Sequence, residues 1–323
     1  MRTIQDAAGR AGMLTLSLVV LLMVVAVAIG ACAISVSSCW PYEDDPAHRA
    51  SREVELTAPS KGVTELQAST MCGRLEVAGA EGSEIRVRAV IKVRARDTAR
   101  AEELAQQVRI ETHTQGDKAT ISPKLPTLKR RELITVDLIV SVPWPALSGD
   151  ATATSAPAAP PGRRLICKAE VGAVDVHDLT AAVRVKTSVG KTAIRNVTGP
   201  VHVRTSTGAI EVRQVAGGVD VTSDVGPIEV TAVAAPVRAE TATGRIDISD
   251  VRQAAAPAAG GEAVWARTSV GMIHIRKVVG DVQAAADTGR VVVEDVRGKV
   301  TAHSSLGAVE VRDVDSTEPL PSD

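Results

Sequence analysis

The residues of this chain that could do chemistry fall at a fixed interval. Asp175, Glu211, Glu229 and Asp247 are separated by multiples of eighteen residues, and Ala193 fills the one vacant place. Carboxylates stacked at the spacing of paired strands, about 4.8 Å, suit two tasks. They can hold Ca²⁺, or they can act on polysaccharide as the carboxylate clusters of β-helical lyases do. Two residues along, His177, Arg195, Arg213 and Arg276 occupy a second column, so the same pattern also reads as an interleaved charged face that keeps the chain soluble. Lys168, Lys186 and Arg204 form a third column with Arg184 beside it. That basic strip suits an anionic glycan or a lipid headgroup, or is simply a solvated strand face. Asp220 and Glu240 soon reverse its sign.

Other chemistry finds little support. There is no G-x-S-x-G, H-E-x-x-H, C-x-x-C or phosphate-binding glycine loop. His48, His113, His177, His202, His274 and His303 are scattered, and the last four fall in four different columns of the repeat. A metal needs convergent ligands, and the glycine-rich nonapeptide of Ca²⁺-binding β-helices is missing. No catalytic residue, metal ligand or cofactor is therefore assigned. With 37 basic and 38 acidic residues the net charge is −1, and aromatics make up 1%. A nucleic-acid partner would ask for a basic excess and stacking rings.

The columns exist because the chain repeats. A glycine followed by alternating apolar residues occurs at Gly172, Gly190, Gly208, Gly226 and Gly244, then at Gly271, Gly289 and Gly307. The step is 18 residues throughout except for one of 27, whose excess lies in the Ala/Gly/Pro stretch RQAAAPAAGGEA. Around Gly208, Val201, Val203, Thr205, Thr207, Ile210, Val212 and Val215 alternate with His202, Arg204, Ser206, Glu211 and Arg213. That is the pattern of strands with one buried face. A second turn falls nine residues on, at Gly199, Gly217, Gly280 and Gly298. One unit is thus two strands and two turns, and stacked units make a parallel β-solenoid. Val203 should stack between Val185 and Val221 inside, and Arg204 between Lys186 and Thr222 outside.

The same grammar appears earlier. LQASTMCGRLEV (Leu66–Val77) reads as a first coil turning at Gly73. Between it and Leu165 lie a strand at Glu84–Ala95, a helix after an N-cap at Asp97, the strand-like RIETH and KATIS, and a long strand at Glu132–Pro143. This is a small α+β insertion on one end of the solenoid, placed to cover its open edge. Cys72 and Cys167 fall four residues apart along neighbouring coils, roughly 13 Å, beyond the reach of about 7 Å for a disulfide. Two buried, unpaired thiols are expected.

At the N-terminus, Met13 to beyond Ala33 is apolar and uncharged, long enough to span a bilayer. Arg2 and Arg10 precede it and Asp44 and Asp45 follow, which puts the N-terminus in the cytoplasm and the body outside. Cys32 and Cys39 each sit in a sequence resembling a lipoprotein cleavage site. An uncleaved anchor, a lipidated cysteine and ordinary secretion all place the body outside the cytoplasm. The expected organisation is a cytoplasmic tail (1–12), an anchor or lipoprotein signal (13–36), a polar tether (37–58), the first coil (59–77) and the α+β insertion (78–147). An Ala/Pro-rich loop (148–162), the solenoid repeats (163–315) and a disordered tail (316–323) follow.

The anchor, the early coil, the strand–helix–strand insertion ending in Val142-Pro143 and the serial G-x-[IV]-x-[VI] coils resemble the bacterial putative-adhesin domains of β-strand repeats. The resemblance spans roughly Val54 to Val314; the loop at Ser148–Gly162 and the insertion after Val251 depart from it. It implies a non-enzymatic cell-envelope scaffold or adhesin, with the membrane and an envelope glycan or protein as partners, and carries no catalytic residues. Two other functions remain open: a glycan-acting β-helix enzyme, and an envelope-stress ectodomain working with a membrane partner.

Overall fold

A computed structural model describes residues 49–145, 162–252 and 262–315. The expectations placed on the N-terminal 48 residues, on the Ala/Pro-rich loop and on the C-terminal tail lie outside the described residues. Strand is the dominant element, as the alternation requires. The chain begins with β1 (Arg49–Pro59), β2 (Glu65–Cys72), β3 (Leu75–Gly79) and β4 (Glu84–Arg94). It continues with α1 (Thr98–Gln107), β5 (Arg109–Gln115), β6 (Lys118–Lys124) and β7 (Leu133–Val142). The coils resume at β8 (Arg164–Val171), β9 (Val174–Leu179), β10 (Ala182–Val189), β11 (Thr192–Val197), β12 (Val201–Thr207) and β13 (Ile210–Val215). Then come β14 (Val219–Val225), β15 (Ile228–Val233), β16 (Val237–Thr243), β17 (Ile246–Arg252), β18 (Val264–Val270) and β19 (Ile273–Val279). The last are β20 (Val282–Thr288), β21 (Val291–Arg297), β22 (Val300–Leu306) and β23 (Val309–Asp315).

Alternate strands build alternate sheets. The even-numbered strands from β8 onward pair in parallel in one sheet, and the odd-numbered strands from β9 onward in the other. Residues eighteen apart are direct partners: Val185, Val203 and Val221 align, as do Lys186, Arg204 and Thr222. The 27-residue step keeps register too, with Glu240 opposite Arg267 and Asp247 opposite His274. Pairing on either side of the extra nine residues shows no slip. A slip of one residue would turn every Val to solvent. Parallel strands with one face inward bury Val, Ile, Ala and Thr between the two sheets, in a core that runs without a break from the N-terminal cap through the coils.

Glycine is required at the first turn for two reasons. Gly172, Gly190, Gly208, Gly226, Gly244, Gly271, Gly289 and Gly307 all have positive φ, as does Gly73. They also stack: a Cβ on Gly208 would lie 2.0 Å from the carbonyl oxygen of Gly190. A second feature of each coil from β9 onward is hidden in the sequence. Asp178, Asn196, Gln214, Ala232, Asp250, Lys277, Asp295 and Asp313 each take φ between 50° and 58°. This left-handed residue sits before the last inward residue of the odd-numbered strands, and it lets Val212 and Val215 both face inward across a three-residue gap. Asp and Asn tolerate the conformation best, and their side chains link coils: Asn196 Nδ2 donates to Asp178 Oδ1 at 2.6 Å.

The insertion extends both sheets. β6 pairs in parallel with β2, and β7 with β3, so each sheet gains a strand at the first coil. β4 then runs antiparallel to β7, β1 antiparallel to β4, and β5 antiparallel to β6. Asp97 caps α1 by accepting from the Arg100 backbone N–H, and Ala101, Leu104 and Ala105 face the core. One boundary is corrected. Residues 49–58, read as part of a polar tether, are most of β1, paired along its whole length with β4. The density of charge in SREVEL hid the alternation of Val54, Leu56 and Ala58, which pack against the core. No helix among the described residues is long and apolar enough to cross a membrane.

Candidate functional site

The odd-numbered strands alternate side chains in and out, so a repeat position becomes a column on the outer face. The acidic column forms as the spacing requires: Asp175 pairs in register with Ala193, then Glu211, Glu229 and Asp247. It begins one coil earlier than the sequence reading, at Glu76 opposite Asp175. Glu76 was missed because the insertion separates its coil from the rest.

The column is ion-paired along its length. Arg74 reaches Glu76 at 3.1 Å and Asp175 at 3.3 Å, and Arg195 reaches Asp175 at 2.9 Å. Lys191 holds Glu211 at 2.7 Å, and Arg213 bridges Glu211 and Glu229 at 3.0 Å each. Arg245 and His274 lie against Asp247. The hydrogen bond from Lys191 holds the Glu211 carboxyl below the usual carboxylate range, ahead of the opposing effect of burial. His177 and Asn196 act in the same direction on Asp178. A catalytic acid needs the opposite shift, toward the protonated form at neutral pH. Among the described residues no group of three or more His, Cys, Asp or Glu is arranged to hold a metal ion. Exposed pairs of this kind contribute about 0–1 kcal/mol each, so the ladder aligns surface charge more than it holds the coils together.

The remaining candidates stay apart. Lys168, Lys186 and Arg204 align on the even-numbered sheet, with Thr222 next in line and Glu240 beyond it. His177 lies between Glu76 and Asp178, His202 beside Asp220, and His274 between Asp247 and Glu294. His113 is on β5 and His303 on β22, far from one another in the strand order. The sequence reading also passed over Trp265. It stands at an outward position between inward Val264 and Ala266, where an aromatic ring is out of place in a polar column. That parity was the available signal.

The cysteines divide. β2 and β8 pair with Ala68 opposite Cys167 and Cys72 opposite Val171, so the four-residue offset across the insertion holds. Cys167 is free and fully buried, and burial pushes its thiol up to about 12. The expectation for Cys72 is corrected: it is disulfide-bonded. The geometric argument addressed only the pair with Cys167. Iodoacetamide should leave Cys167 unmodified in the native protein at pH 8 and alkylate it fully in denaturant, since the thiolate is the reactive species. Peptide mass spectrometry of the two samples checks this.

No family model matches the chain, and no curated protein matches it. Solved structures do match, over most of their length and of this chain. A putative adhesin from Bacteroides fragilis is 11% identical; the match covers 80% of this chain and 97% of that one, with a TM-score of 0.35. A putative cell adhesion protein from Clostridium sporogenes is 9% identical, covering 81% and 99%, with a TM-score of 0.26. A putative lipid binding protein from Parabacteroides distasonis is 10% identical, covering 84% and 98%, with a TM-score of 0.31. A structure from Parabacteroides merdae, also named a putative adhesin, is 8% identical, covering 83% and 96%, with a TM-score of 0.32. The fold rests on the strand register.

Proposed function

We propose that the chain is a non-enzymatic, extracytoplasmic β-solenoid that works by presenting a surface, as an envelope scaffold or adhesin held at the membrane by its N-terminal segment. The ion-paired acidic column carries this reading. The carboxylates best placed for glycan chemistry are each engaged by a cation, and where a shift is resolved, at Glu211, it is downward. The uncharged run after Met13 supports the membrane attachment. A rigid ladder with long outer columns is suited to contact with an extended partner, as stacked repeats generally are.

Two measurements test the reading. Protease shaving of intact cells should remove the body while the apolar segment stays with the membrane fraction. Full-length chain immobilised on beads should retain isolated envelope material without releasing reducing ends from it. A cytoplasmic, protease-protected body would overturn the location; steady release of reducing ends would make the chain an enzyme.

A further inference from the structure

One outer column differs from the rest. His202, Asp220, Arg238 and Trp265 are register partners at the first outward position of β12, β14, β16 and β18. Along them runs an open surface groove of about 470 Å³. Exposed Pro200 and Pro236 supply the apolar surface, while Asp220, Glu262, Arg238 and His202 supply polar groups. Trp265 is the one partly exposed aromatic side chain among the described residues; Trp144 is buried. The Arg238 guanidinium lies 4.1 Å from the centre of the Trp265 ring. That stack fixes the ring and aims the guanidinium donors.

We propose that this groove binds a neutral oligosaccharide. The proposal rests on the reading of the chain as a surface-presenting envelope protein and names the class of ligand. A sugar ring offers C–H faces and hydroxyl edges together. The exposed part of the indole and the two prolines match the first; carboxylate acceptors and guanidinium donors match the second. The charges select against other ligands: an anionic chain would meet Asp220 and Glu262, and a cationic one would meet Arg238. The groove follows the stack across four strands, three steps of about 4.8 Å, which suits a linear chain of rings better than a compact molecule. The matching positions on neighbouring coils, Arg184 and Gln283, carry no ring.

The test uses full-length chain in an amine-oxide detergent, which carries no sugar, on a microarray of neutral and acidic oligosaccharides. The expected result is retention on neutral glycans. Trp265→Ala and Glu262→Ala should each weaken it about tenfold or more, a change of about 1.4 kcal/mol, with unaltered melting. Arg204→Asp, on another column, should bind as the parent does. Titration of the tryptophan emission with the strongest neutral glycan should give the same midpoint for the parent and Arg204→Asp, and a midpoint about tenfold higher or more for Glu262→Ala. No retention on any glycan, retention on acidic glycans alone, or binding indifferent to Trp265→Ala would overturn the proposal. If Trp265→Ala chain on beads retains envelope material as the parent does, the groove fails as the envelope contact; if parent chain retains none, the wider reading fails.

Discussion

Gly208→Ala is expected to disrupt the coils on either side of it, although it adds a single methyl group. The Cβ would lie 2.0 Å from the Gly190 carbonyl oxygen and 2.7 Å from its carbon, and both are backbone that cannot move aside. The residue also has φ +147°, where a side chain is strained whatever the space. Backbone strain of this kind costs about 1–3 kcal/mol, and the clash adds to it, so a total above about 4 kcal/mol is expected, a range few substitutions reach. Gly218→Ala is the control. Its Cβ would meet nothing nearer than Pro236 O at 3.7 Å, an ordinary contact, and it should stay within about 1 kcal/mol of the parent. Thermal melts and amide exchange at β10 to β13 separate the two outcomes.

Val203→Asp is the second large effect. Val203 is 3% exposed, between Val185 and Val221 in the interior. A carboxylate there has no partner, so it costs several kcal/mol or takes up a proton. Against a total stability of about 5–15 kcal/mol, that opens the local coils. The adjacent Arg204 points to solvent beside Lys186 and Thr222, and Arg204→Asp should change stability by no more than about 0.5 kcal/mol. Equal losses for the two variants would mean that the faces are misassigned.

These two effects show why so much of the fold was readable. An 18-residue repeat imposes the same inward and outward choice on every coil, so an ambiguous residue such as Thr205 is settled by its column. The break between Gly244 and Gly271 did no harm, because register resumes with Glu240 opposite Arg267. What escaped was whatever the repeat does not repeat. The left-handed residue of each coil is Asp or Asn in many coils, but Gln214, Ala232 and Lys277 hide the column. β1 is charged enough to pass for a tether, and its partner β4 lies beyond the first coil. Trp265 and Glu262 come together with Asp220 only through stacking across the break. The Cys72 disulfide escaped because the spacing argument weighed only Cys167 as its partner.

The most direct test of the stacked register is a set of distances along one outer column. Lys168 paired in turn with Glu240, Arg267, Ala285 and His303 places nitroxide labels four, five, six and seven coils apart. At about 4.8 Å per coil, the separations by pulsed electron resonance should rise as about 19, 24, 29 and 34 Å. The step from Glu240 to Arg267 should be no longer than the others, although it crosses 27 residues rather than 18. A larger increment at that step, or distances that fail to rise evenly, would contradict the solenoid and the groove built across it.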